Sequence, residues 1–170
     1  PTVLNCAFSD NTASRYGGAI YCYKSGPTVT KCTFSGNGAG LGGAIYCRSS
    51  SPTVTNCTFS GNSANDYGGA LRCYSNSSPT VTNCTFSGNN ARYGGAVACY
   101  SSSNPILNNC ILWGNSASSS GNEIYISGSS SSCTLNYCCV DNTGYGGVTG
   151  SIDDGNNCIF VDPQFVDAAG

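Results

Sequence analysis

The stretch Pro52-Thr53-Val54-Thr55-Asn56-Cys57-Thr58-Phe59-Ser60-Gly61-Asn62, followed by Gly68-Gly69-Ala70-Leu71-Arg72-Cys73, decides the fold because the chain repeats it. Pro1, Pro27, Pro52, Pro79 and Pro105 open five such units, 25 to 27 residues apart. A first cysteine column falls five residues after each Pro, at Cys6, Cys32, Cys57, Cys84 and Cys110. Phe8, Phe34, Phe59 and Phe86 follow, with Leu112 in the fifth place, and then Asn11, Asn37, Asn62, Asn89 and Asn115. A second cysteine column, Cys22, Cys47, Cys73 and Cys99, trails each Gly-Gly pair by a fixed offset. The register decays at Gly121-Asn122-Glu123-Ile124-Tyr125-Ile126. A sixth unit aligns through Thr134 to Val140, and a shortened seventh through Asn157-Cys158-Ile159-Phe160.

The apolar positions alternate with period two. In Ile20-Tyr21-Cys22, Ile and Cys share one face and Tyr the other; Cys6 and Phe8 pair in the same way. Abundant Gly and Ser oppose helix, so each unit offers two or three short strands broken by Pro, Ser-Gly-Asn and Gly-Gly turns. One unit of this size cannot bury a core alone, whereas stacked copies can. The expectation is an all-β, right-handed parallel β-helix of about six coils and a partial seventh, with ~25–27 residues per coil. At about 4.8 Å per coil the rod is roughly 30 Å long. Residues 1–170 read as one solenoid domain, regular over 1–126 and irregular over 127–170.

The signals Phe8-Ser9-Asp10-Asn11 and Gly17-Gly18-Ala19-Ile20 resemble the repeats of polymorphic outer-membrane proteins and related right-handed β-helix proteins of bacterial surfaces. Asn109-Cys110-Ile111-Leu112-Trp113-Gly114-Asn115 is similar to a late-coil variant of large secreted β-helix proteins. The tail from Phe160 to Asp167 resembles the Asp-Pro-x-Phe segment that follows such coils. In the family that segment continues into further chain. The tail and the absence of a starting Met point to a processed chain or a fragment. The resemblance implies an extracellular or cell-surface location, and it spans adhesins, spacers and polysaccharide-degrading enzymes alike.

Composition narrows the chemistry. The chain has 170 residues, 13 Cys, 23 Gly and no His, and 8% of residues are charged against a usual ~25%. Without His there is no Ser-His-Asp or Cys-His nucleophile and no His-ligated zinc. The net charge of −2 is too little basicity to track a phosphate backbone, so no nucleic-acid partner is expected. No apolar run approaches the ~18 residues of a membrane span. A glycosidase needs two carboxylates flanking one bond, but Asp10 and Asp66 lie two coils apart, about 10 Å along the axis. Asp141, Asp153 and Asp154 offer a cation cluster, yet no Lys or Arg follows Arg92. The expectation is a protein without catalytic, cofactor or metal residues, with a lyase or glycosidase fragment as the enzymatic alternative.

The remaining columns carry open alternatives. The Asn column is an inward ladder or a glycan-binding row, and the ladder is favoured because every coil carries it. Tyr21, Tyr46 and Tyr125, with Tyr23, Tyr74 and Tyr100, present rings to sugars or stack to protect a sheet. The cysteines are buried free thiols or disulfides. Within-coil pairs would join Cys6 to Cys22 and onward. Junction pairs, which leave Cys6 as a free or intermolecular thiol, would join Cys22 to Cys32, Cys47 to Cys57, Cys73 to Cys84 and Cys99 to Cys110. All six bases precede residue 93, and six of the eight acids follow residue 120. That division is drift along a repeat array or a basis for rods stacking head to tail. The expectation is a structural surface rod or filament-forming subunit, with an adhesin or glycan-binding module using the Tyr column as the alternative.

Overall fold

A computed structural model describes residues 1–164; Phe165, Val166 and Asp167 of the resembling tail lie outside the described residues. The first coil contains four strands, β1 (Thr2–Leu4), β2 (Ala7–Ser9), β3 (Thr12–Tyr16) and β4 (Ile20–Tyr23). Each pairs in parallel with its equivalent one coil on, so the chain winds into a right-handed parallel β-helix with four sheets of seven, six, five and six strands. Five coils carry all four strands. In the sixth, 3-10 turns at Asn142–Gly144 and Thr149–Ser151 flank the last strand and none joins the third sheet. The seventh contributes Ile152–Asn156 and a bridge from Ile159 to Cys139.

The expected two or three strands per coil are therefore four. The missed strand is β3 and its equivalents, whose small and polar residues are mostly exposed. Backbone pairing to the neighbouring coil supplies their hydrogen bonds, so an apolar alternation is not required there.

In-register pairing brings identical residues together inside the coil. Phe8, Phe34, Phe59 and Phe86 stack with ring centroids 4.9, 4.8 and 4.6 Å apart and planes within 3°. The Gly-Gly pairs divide two tasks. Gly42 has φ +65°, a left-handed turn, while a Cβ on Gly43 would overlap the Gly69 carbonyl of the next coil. A further polar column, unrecognised in the sequence, lies at the Ser two residues before each Pro. The Ser50 amide donates to Ser77 Oγ and the Ser77 amide to Ser103 Oγ, both at 3.1 Å.

The Asn column is an inward ladder. Asn62 donates from its backbone amide (3.0 Å) and its Nδ2 (2.9 Å) to Asn89 Oδ1, and Nδ2 also reaches the Phe34 carbonyl. The pattern runs from Asn11 through Asn37, Asn62 and Asn89 to Asn115. It ends on Glu123, whose carboxylate accepts from the Asn115 amide at 3.1 Å and from Asn115 Nδ2 at 2.6 Å. Glu123 thus fills the ladder place that the sixth coil leaves vacant. Burial pushes its carboxyl up to about 7, partly offset by the two Asn115 bonds.

All thirteen cysteines are free thiols, so neither pairing scheme is formed. The two columns run along different parts of the coil, and each sulfur meets its own column instead. The Cys32 amide donates to Cys57 Sγ and the Cys57 amide to Cys84 Sγ, both at 3.4 Å, while Cys22 stands in register with Cys47 on the neighbouring strand. Cys6 is exposed, Cys158 is half-buried and the other eleven are buried. Burial raises the Cys133 thiol, and its bond to Cys99 together with burial raises Cys73 well above the ordinary value. Cys73 and Cys133 are held as neutral thiols and pack as small apolar residues.

Two outcomes follow from the interior columns. Titration of the reduced native protein with an aromatic disulfide reagent at neutral pH should give one fast thiol, Cys6, and a slower Cys158, with all thirteen reacting after denaturation; fast release of several thiols from native protein would contradict the packing. Glu123 holds its proton in the folded chain to higher pH than in the unfolded chain. Its contribution is therefore fully present below about pH 4.5 and lost as pH rises through about 7, a change of about 3 kcal/mol. Denaturant melts of Glu123→Gln should lack this fall, and an unchanged pH profile would remove Glu123 as its source.

Candidate functional site

The outer surface is unequal around the coil. The first two sheets present mainly Thr and Ser outward. The fourth sheet carries two aromatic columns. Strand pairing aligns Tyr21, Tyr46, Arg72, Ala98 and Tyr125 in one, and Tyr23, Arg48, Tyr74, Tyr100 and Ser127 in the other. A third column comes from the last residues of the third-sheet strands: Tyr16, Leu41, Tyr67, Tyr93 and Ser120. Nine of the eleven tyrosines occupy this face. The third column escaped the sequence reading although its signal is plain, since Tyr directly precedes Gly-Gly at Tyr16, Tyr67 and Tyr93.

Cations follow the rings. Arg15 lies over Tyr16 at 4.9 Å, Lys24 over Tyr23 at 5.3 Å and Arg92 over Tyr93 at 5.3 Å. Arg48 bridges Tyr23 and Tyr74 at 5.6 and 5.8 Å. Arg72 sits 4.3 Å above Tyr67 and within 6 Å of Tyr46 and Tyr74. Five of the six basic residues thus engage one face, leaving Lys31 elsewhere. The acid beside them, Asp66, makes a 4.0 Å ion pair with Arg92 between side chains that are more than half exposed, a weak contact.

Tyr21, Tyr46 and Tyr125 do share a column, but they do not form a flat platform. Tyr46 is buried, stacked on Tyr16 at 4.9 Å and against Tyr21 at 5.3 Å. Burial pushes its phenol above the ordinary value, with Arg72 pulling the other way. Tyr125 leans across the small Ala98 towards Tyr93 (4.9 Å) and Tyr67 (6.1 Å). The rings spend part of their faces on one another. Arg72 lies between the two tyrosine groups, only 6% exposed, and its Nε and Nη1 are buried with no hydrogen-bond acceptor. A buried guanidinium with two of its three nitrogens lacking acceptors is unusual in a fold whose other buried polar side chains are almost all paired.

The other candidates disperse. Asp10 stands at the corner between β2 and β3, and Asp66 on the third sheet is taken by Arg92, so they do not flank a common cleft. Asp141 caps the 3-10 turn through Thr143, and among the described residues no group of three metal-ligating side chains forms. A hollow of about 530 Å³ lies over Asn83, Asn109, Tyr137 and Asn157, lined by no charged side chain.

The four parallel sheets and these ladders agree with a family model described as the right-handed beta helix region, which matches residues 18–170. The chain belongs to the right-handed β-helix family. This β-helix also matches the Chlamydia polymorphic membrane protein repeat over residues 5–23, where β2, the first Asn and the first Gly-Gly pair lie. No curated protein and no solved structure matches it.

Replacing Arg72 by Tyr would complete the column of Tyr21 and Tyr46 and remove two unpaired buried donors. Arg72→Tyr should unfold at the same or a higher temperature, with a gain of up to about 1 kcal/mol; a lowered melting temperature would mean that the cation supports the fold.

Proposed function

We propose that this β-helix is a non-catalytic cell-surface rod whose tyrosine–cation face is an adhesive binding surface for glycans. The observation that carries the reading is the concentration of nine tyrosines and five cations on one side of a coil whose first two sheets present mainly Thr and Ser. The interior supports the rod: its buried amides, hydroxyls and thiols are committed to ladders that run along the axis. Glu123, a buried carboxyl of raised pKa, is absorbed by the Asn ladder and faces no cleft. The polymorphic membrane protein repeat supports a surface setting.

The division of charge along the axis favours a second reading, in which rods associate end to end as a filament. Sedimentation at low and high salt separates the two, because charge-driven stacking dissolves as salt screens it.

Beads coated with the protein and passed over a printed glycan panel test the adhesive face. Tyr21, Tyr23 and Tyr100 are exposed large side chains, so the Tyr21→Thr/Tyr23→Thr/Tyr100→Thr variant should remain folded and lose at least tenfold in retention. Failure of the parent to bind any glycan, or equal retention by the variant, would overturn the adhesive reading.

A further inference from the structure

Arg72 is the feature that the adhesive face leaves unexplained. Coils one, two and five carry Tyr at this register, so a ring would fit; the third coil substitutes a cation and the fourth the small Ala98. The exchange costs the fold two buried donors without acceptors, Nε and Nη1. Three tyrosines hold the guanidinium, and the nearest, Tyr67, lies 4.3 Å from it. Its neighbours on the same face include Arg48 as well as Arg15 and Arg92 at the flank, and the Asp66 carboxylate on the third sheet lies against Arg92 in a weak, exposed pair.

We infer that Arg72 is the docking point for the anionic group, carboxylate or sulfate, of an acidic glycan lying along the tyrosine face. This rests on the adhesive reading and adds the ligand's charge and the residue that reads it. A planar guanidinium with free N–H donors is the side chain best suited to an oxyanion, and enclosure by rings rather than water strengthens the bond. Arg72 is buried beneath Tyr67 and Tyr74, which are themselves half-buried on the outer surface, so docking requires one of these rings to swing aside. Tyr21 and Tyr46 lie on one axial side of Arg72 and Tyr125 on the other, so the cation stands between rings along the axis. Carbohydrate is favoured over nucleic acid because the protein's net charge is −2 and only a local group of cations is available.

The test compares heparin octasaccharide (sulfate and carboxylate), hyaluronan octasaccharide (carboxylate alone) and dextran (neutral) by calorimetry on the full chain. Variants are Arg72→Tyr, which restores the ring of the other coils, and Lys31→Asn, which removes the same charge from another face. At least one acidic glycan should bind tenfold or more tightly than dextran. Arg72→Tyr should weaken that binding at least tenfold while Lys31→Asn changes it less than twofold. Binding of hyaluronan identifies the anion as carboxylate, and binding of heparin alone identifies it as sulfate. Equal losses in the two variants would reduce the effect to bulk charge and overturn the proposal. Dextran binding as well as the acids, with Arg72→Tyr unchanged, would overturn it while leaving the adhesive face intact. No binding to any of the three, together with an empty glycan panel, would remove both. A thymidine oligonucleotide that binds more tightly than either acid and depends on Arg72 would assign the face to nucleic acid instead.

Discussion

Everything in this molecule depends on parallel strands stacking in register, because that pairing forces each side chain to meet its own kind about 4.8 Å away. A residue that packs well on itself is multiplied along the axis, and one that does not is paid for in every coil. Phe stacks on Phe, Asn bonds to Asn, the Ser before each Pro bonds to the next, and Cys rests on Cys. The same rule explains the glycines: the second Gly of each pair leaves room for the carbonyl directly above it. Stability is therefore mostly a sum of neighbouring-coil terms.

This constraint also sets what could be read from residues alone. A column such as Phe8, Phe34, Phe59 and Phe86 announces itself because stacking demands near identity, so the coil period and the inward Asn ladder were legible. The strand at Thr12–Tyr16 was not, since its outward residues are free to vary and its order comes from backbone pairing. Cysteine spacing along the chain does not give cysteine neighbours in space. Along the chain Cys22 is ten residues from Cys32, but its spatial neighbour is Cys47, 25 residues on. Glu123 was invisible for the opposite reason: it occupies a Gly-Gly-Ala-Ile slot by sequence and reaches an Asn slot by side chain.

The outer face shows the rule being relaxed. Arg48, Arg72 and Ala98 break the tyrosine columns of the fourth sheet, and the neighbouring rings tilt and lean to accommodate them. Three columns were needed to see this face, and the sequence reading had joined only two. Tyr16, Tyr67 and Tyr93 belong to a different sheet and turn the corner at the first Gly of each pair. Stacking and cation contacts each contribute about 0.5–1.5 kcal/mol, enough to order the face without any ligand. The buried guanidinium without acceptors is what such ordering leaves unaccounted for.

The Asn ladder has an arrow. From Asn37 to Asn115 each Oδ1 accepts from the preceding Asn, while each Nδ2 donates onward along the ladder and back to a Phe carbonyl, and Glu123, with no donor of its own when ionised, can only receive. Aligned amide dipoles polarise one another along such a chain. Duplicating a central unit lengthens the queue of amides without altering either neighbour's bonding, whereas inverting a unit would set donor against donor. The solenoid behaves as a one-way zipper whose number of teeth is free and whose stop is a single carboxylate.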